Sequence, residues 1–276
     1  MHEWAAELNP DQRILDIGAG AGSLRDFEIA CIVVAVDSDR DAFVNAYPSG
    51  NKRYVHARGE SLPFASGSFD LVLCHHVLEH IDNPSATLAE VARLLKPAGR
   101  FYVAVPNGYG LCDRIYRFVF DGGEHVNRFR YDDLVRMVEA SVNARLVYSQ
   151  KLYTSFAYLA RMLELPRDGS LNLGPHLRKI ARLPKVLVLF VQGCLYWFTR
   201  LAGRVANVNW DVYGWALYFE RGWEDPPETR TPFLNVCMYC GAGQPSNTLT
   251  PRYGLFCRCT ECNRRSLYFP PYTGVQ

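Results

Sequence analysis

Leu15-Asp16-Ile17-Gly18-Ala19-Gly20-Ala21-Gly22 is an apolar run that breaks into three glycines, and its reading decides the fold. Leucine and isoleucine in a short run suit a buried strand. The glycines let the chain turn sharply and pass close to a bound molecule where a Cβ would collide. A second run, Val34-Ala35-Val36-Asp37, ends in an acid, and a carboxylate at that strand end can accept both hydroxyls of a ribose. The pair reads as a nucleotide-like binding unit. The spacing Gly18-x-Gly20-x-Gly22 departs from the G-x-G-x-x-G of dinucleotide sites.

Outward from this unit, apolar runs alternate with helical patterns. Strands are predicted near Ile14–Ile17, Ile32–Val36, Arg53–His56, Leu71–Cys74 and Arg100–Val105, and helices near Ser23–Ile29, Arg40–Ala46 and Pro84–Leu95. Asn83 before Pro84 is a good cap and first-turn pair, and Lys96-Pro97-Ala98-Gly99 reads as that helix's end. A helix over Asp132–Ala140 and a strand over Arg145–Gln150 follow. The alternation predicts a parallel sheet covered on both faces, with ligand at the carboxyl ends of its strands.

Four further motifs follow in order: Glu60-Ser61-Leu62-Pro63-Phe64, Ser68-Phe69-Asp70-Leu71-Val72, Val77-Leu78-Glu79-His80 and Leu94-Leu95-Lys96-Pro97-Ala98-Gly99-Arg100. In this order and spacing the series resembles the small-molecule branch of the class I S-adenosylmethionine (SAM)-dependent methyltransferases, over roughly residues 8–150. The resemblance implies a Rossmann-like α/β fold with a seven-stranded, mostly parallel sheet. Its last strand should return antiparallel, and Tyr213–Glu220 is the best candidate. Residues 151–210 then form a helical lid insertion in a domain spanning 1–224.

The resemblance also assigns roles. Gly18, Gly20 and Gly22 approach the methionine and ribose, Asp16 reaches the amino group, and Asp37 takes the ribose hydroxyls. The family's adenine-binding aspartate is replaced by Arg58, which leaves Ser38 and Glu60 as stand-ins. Methyl transfer to a hydroxyl needs a base, and histidine titrates in the right range. His75 and His76 end the fourth strand, and His125 follows the fifth in a His-Val loop that borders the acceptor site in similar enzymes. His80 reads as structural. Where methyltransferases of amino groups carry Asn/Asp-Pro-Pro-aromatic, this chain has Cys74-His75-His76-Val77, which favours oxygen or carbon as acceptor.

Nine basic residues face two acidic ones between Lys151 and Val205, and Val186–Thr199 is a charge-free run of 14 residues. At about 1.5 Å per residue such a helix is shorter than the roughly 30 Å hydrocarbon core. It is expected not to span, but to lie on anionic lipid through 177–205 or to cover a greasy acceptor. The bland alternative is a buried core helix.

Five of the nine cysteines lie between Cys237 and Cys262. The knuckles Cys237-x-x-Cys240 and Cys259-x-x-Cys262 present four thiolates and resemble a zinc ribbon with a closed, structural zinc site; Cys257 is an ambiguous fifth thiol that could replace Cys259, and the rival readings are an iron centre of rubredoxin type and disulfides. Pro226, Pro227 and Pro232 mark a linker to this module over 225–276. The formal charge of +2 excludes a molecule-wide field demanding nucleic acid. Met1–Pro10 has no apolar leader run, so a cytoplasmic location is expected, with membrane association through the insertion. The leading expectation is methylation of a small or lipid-linked acceptor. An RNA methyltransferase using the ribbon and the basic insertion is the alternative.

Overall fold

The computed structural model describes residues 4–5, 7–20, 23–24, 29–43, 50–119, 125–153, 156, 184–206, 210, 212–222 and the short pieces 235–236, 243–244, 256–258, 263 and 265–267. The chain divides into two compact units, one of Met1–Pro106, Glu124–Ser149 and Trp215–Glu228, the other of Asn107–Gly123, Gln150–Gly214 and Thr229–Gln276.

The described elements run β1 (Arg13–Ile17), β2 (Ile32–Asp37), β3 (Lys52–His56), β4 (Phe69–His75), α1 (Pro84–Leu94), β5 (Leu95–Pro106), α2 (Leu111–Val119), α3 (Tyr131–Val142), β6 (Arg145–Tyr153), α4 (Lys185–Ala206) and β7 (Val212–Glu220). They build one seven-stranded mixed sheet in the order β3-β2-β1-β4-β5-β7-β6. The pairs β1–β2, β2–β3, β1–β4 and β4–β5 are parallel. The switch in strand order falls at β1 and β4, where the two halves of such a sheet leave a crevice for ligand. β7 takes the position between β5 and β6, the place of the returning strand.

Ile14, Leu15 and Ile17 in β1 and Leu71, Val72, Leu73 and Cys74 in β4 are all buried, as two-sided burial of central strands requires. Asn83 accepts a hydrogen bond from the Ala86 amide at 3.1 Å ahead of Pro84. α1 then buries Thr87, Leu88, Val91 and Leu94 on one face. The helix ends earlier than Lys96–Gly99. Leu95 is already extended and pairs with Phe69, and the register then jumps to Leu71 opposite Arg100, so Lys96–Gly99 is an irregularity inside a longer β5. Arg40–Phe43 forms a 3₁₀ turn, capped at its start by the Asp39 carboxylate, which accepts from the Asp41 amide at 2.9 Å; the rest of the predicted helix, residues 44–46, lies outside the described residues. The predicted helix near Ser23–Ile29 falls mostly outside the described residues.

One arginine closes three elements. Arg221 donates to the carbonyls of Leu95, Ala92 and Val142 at 2.7 Å each, and its own amide donates to the Gly99 carbonyl at 3.1 Å. Asn143 just past α3 is left-handed, with φ of 52°, a regular helix stop.

In the second unit α4 runs for 22 residues, longer than the charge-free run. The turns around Arg200 and Gly203 stay helical, so the helix is about 33 Å long. By length and composition Lys185–Ala202 suffices to cross a membrane, correcting the shorter estimate from sequence. Val188, Gln192, Tyr196 and Thr199 form a buried stripe, while Val186, Phe190, Phe198 and Leu201 are more than half exposed. It is therefore not a core helix.

Candidate functional site

Gly18 and Gly20 leave β1 with φ of 62° and 53°, a region that side chains with a Cβ rarely adopt. A Cβ on Gly18 would fall 2.4 Å from Cγ2 of Val77, whereas one on Gly20 would meet nothing within 4 Å. Gly18 is thus fixed by packing, and Gly20 leaves open space beside the turn. Gly22 lies outside the described residues.

The Asp37 carboxylate, at the end of β2, accepts from the Gly20 amide at 2.8 Å and from the Asp39 amide at 2.9 Å. It shapes the turn as well as facing the crevice. Asp16 is 1% exposed and accepts from the Ser23 amide at 3.1 Å and the Ser23 hydroxyl at 2.9 Å. Burial raises its pKa to about 6 against the opposing pull of those two bonds. A cationic amino group is a natural partner for a carboxylate in that position.

A pocket opens over this turn, lined by Gly18, Asp37, Ser38, Glu60, Val77 and Asp82 among others. Six residues singled out from sequence are thereby joined: Gly18, Asp37, Ser38, Arg58, Glu60 and His80, the last read from sequence as structural. Arg58 and Glu60 approach to 3.8 Å, so the arginine at the family's aspartate position neighbours the acid two residues on. Asp82, which sequence reasoning missed, is a polar lining residue with no motif of its own.

His75 and His76 sit at the carboxyl end of β4, their ring centroids 4.7 Å apart. His75 Nδ1 is 3.1 Å from the Tyr102 hydroxyl, and His76 Nδ1 is 3.1 Å from Glu79 Oε1. His76 has φ of 56°, so the chain swings left-handed just where the strand ends. Glu79 is buried at 1% exposed. Its part in orienting His76 was hidden inside the Val77-Leu78-Glu79-His80 motif. His125 falls against His80 rather than the β4 pair, with ring centroids 4.9 Å apart. The three histidines proposed from sequence therefore form two groups.

Cys237, Cys240, Cys259 and Cys262 lie outside the described residues. The described pieces around them form two antiparallel pairs, Asn235–Val236 with Gly243–Gln244 and Phe256–Arg258 with Arg265–Leu267. Cys257 is a strand residue opposite Ser266.

Residues 15–103 match the family model described as a methyltransferase domain. The chain is 33% identical over 142 residues to the uncharacterized methyltransferase YcgJ of Bacillus subtilis (strain 168), covering 48% of this chain and 53% of that protein. It is 28% identical over 185 residues to a ubiquinone biosynthesis O-methyltransferase of Aromatoleum aromaticum, covering 61% of this chain and 78% of the relative. The chain thus spans about half the length of YcgJ. Among solved structures, phosphoethanolamine N-methyltransferase 2 of Haemonchus contortus, in complex with S-adenosyl-L-methionine, is similar with a TM-score of 0.51 at 16% identity, covering 81% of this chain and 51% of that one. That likeness is one of fold.

Proposed function

We propose that this chain, built on a class I SAM-dependent methyltransferase domain, moves a methyl group from SAM to a hydroxyl oxygen of a small or lipid-linked acceptor. The observation that carries the reading is the His76–Glu79 pair at the end of β4, 3.1 Å apart. Bound SAM supplies a methyl group on a sulfonium, already an excellent leaving group. What remains for the protein is to position the acceptor and take its proton. Glu79 orients His76 and stabilises it once protonated; His75 and His125 are the other candidate bases. Gly18, Gly20, Gly22, Asp16 and Asp37 hold SAM at the turn, with Ser38 and Glu60 at the adenine end. The amino-group-binding Asn/Asp-Pro-Pro-aromatic signature is absent from the β4 end, which reads Cys74-His75-His76-Val77 and supports oxygen or carbon as acceptor. The O-methyltransferase named for ubiquinone biosynthesis is a relative whose acceptor chemistry agrees with this reading.

The exposed apolar side of α4 supports an acceptor or surface of lipid character. In the C-terminal module the four cysteines Cys237, Cys240, Cys259 and Cys262 hold a structural zinc; their C-x-x-C spacing supports this, and elemental analysis giving no zinc in purified protein removes it. The acceptor reading is tested with methyl-labelled SAM and a panel of phenols bearing no tail or an isoprenoid tail, a carboxylic acid and a short RNA. Turnover is expected on a phenol. Turnover on RNA alone overturns the reading.

A further inference from the structure

Glu79, His80 and His125 are brought together by a backbone clasp. The amides of Val126 and Asn127 donate to the Glu79 carbonyl at 2.8 and 3.0 Å, and Asn127 Nδ2 donates to the Leu78 carbonyl at 3.1 Å. This ties the loop carrying His125 onto the turn after β4. A carboxylate oxygen of Glu79 and one ring nitrogen from each histidine lie within 4.8 Å of one another. The imidazole rings meet edge to face at 73°.

Glu79 itself points to a ligand. Its Oε1 is engaged by His76, but its Oε2 is buried with no hydrogen-bond partner among the described residues. A buried carboxylate oxygen needs a proton donor or a cation. Loop packing alone leaves that oxygen unexplained.

We propose that Glu79, His80 and His125 bind one divalent transition-metal cation, through Glu79 Oε2 and one ring nitrogen of each histidine. Two imidazoles and one carboxylate suit zinc, iron, cobalt or manganese better than magnesium or calcium. Bonds of about 2.0–2.2 Å put neighbouring ligand atoms roughly 3.0–3.5 Å apart. The present spread needs a closure of about an ångström or more, which His80, exposed, and His125, half-buried on its loop, can make by side-chain rotation. His76 on Oε1 then serves as the outer hydrogen bond that orients a ligating carboxylate. Three protein ligands leave positions for an external oxygen. His80 also lines the pocket over the glycine turn, so the cation would stand beside the bound cofactor. A ligating His125 leaves His76 and His75 as the candidate bases, and the site does not depend on the identity of the acceptor.

The test is a cobalt(II) titration of the full chain, stripped of metal and then given one equivalent of zinc, which the four thiolates take first, followed by visible absorption. One equivalent is expected to bind with weak ligand-field bands and without the intense thiolate charge-transfer absorption of a cysteine site. His125→Ala and Glu79→Gln should each weaken this binding at least tenfold, with an unchanged circular-dichroism spectrum and unfolding midpoint of His125→Ala as the check of folding. Because His125 is on a surface loop, that variant decides the matter even if Glu79→Gln is unstable. A wild-type protein giving no such bands, or a folded His125→Ala that binds cobalt as wild type does, overturns the proposal.

Discussion

His76 Nδ1 lies 3.1 Å from Oε1 of Glu79, a carboxylate that is 1% exposed and two residues past Val77, whose methyl groups abut Gly18. The base candidate and the cofactor turn are therefore set by one short segment. His76→Asn, chosen because asparagine tolerates the left-handed backbone there, should lower kcat by about 10²–10⁴-fold, the usual range for a lost general base. The SAM dissociation constant should stay within twofold. Steady-state kinetics with parallel calorimetry checks both; loss of SAM binding instead of turnover would make His76 a structural residue.

Asp16 makes SAM binding pH-dependent. Its pKa is raised from the usual 3.8 to about 6 by burial, so in the free protein it is largely neutral below that pH. A cationic amino group selects the ionised form, so binding releases a proton below pH 6 and affinity should be about tenfold weaker at pH 5 than at pH 7. For stability the sign is opposite to that of a salt-bridged acid. The folded state holds this proton more tightly than the unfolded chain, so the group's contribution declines as pH rises from 3.8 to about 6. Calorimetric titration in buffers of different ionisation enthalpy counts the proton.

Arg221→Ala should destabilise the first unit without touching the crevice. The guanidinium satisfies three carbonyls at 2.7 Å, and hydrogen bonds to a charged group contribute about 1.5–3 kcal/mol each before overlap. A loss of about 2–4 kcal/mol is expected by denaturant unfolding. An unchanged midpoint would show that water replaces the clamp at no cost.

α4 should bring the protein to anionic lipid. Arg178, Lys179, Arg182, Lys185, Arg200 and Arg204 flank its apolar run with no acid between them, and each cation near such a surface contributes about 1 kcal/mol. Adding partial insertion of Trp197 and Phe198 exceeds the roughly 8 kcal/mol of a micromolar complex. Anionic liposomes should sediment the protein, neutral ones should not, and Trp197→Ser or charge reversal at Lys179 and Arg182 should weaken the effect. Protein left in the supernatant with both liposome types removes the lipid surface from the account.

The central strands were legible because burial on both faces writes them as apolar runs, and β1, β2 and β4 fall within two residues of the expected spans. The glycine turn was legible for the same local reason. What was not legible depends on partners distant in sequence. Gly18 is excluded from bearing a Cβ by Val77, Asp37 is drawn into the turn by the Gly20 amide, and Arg221 reaches back to Ala92 and Val142. Leu95 reads as a helix end, yet its pairing with Phe69 makes it a strand. The charge-free run ends at Thr199, so Arg200 and Arg204 read as a flank, whereas α4 continues through both to Ala206. Glu79 and His80 were visible as a motif, but their meeting with His125 is a tertiary event.

The most direct measurement follows methyl label from SAM into a mixture of total lipid extract and total RNA, with wild type and His76→Asn in parallel. The account predicts label in the organic phase, on a base-stable ether linkage, from wild type alone. Label recovered only in RNA, or transferred equally by both proteins, would contradict it.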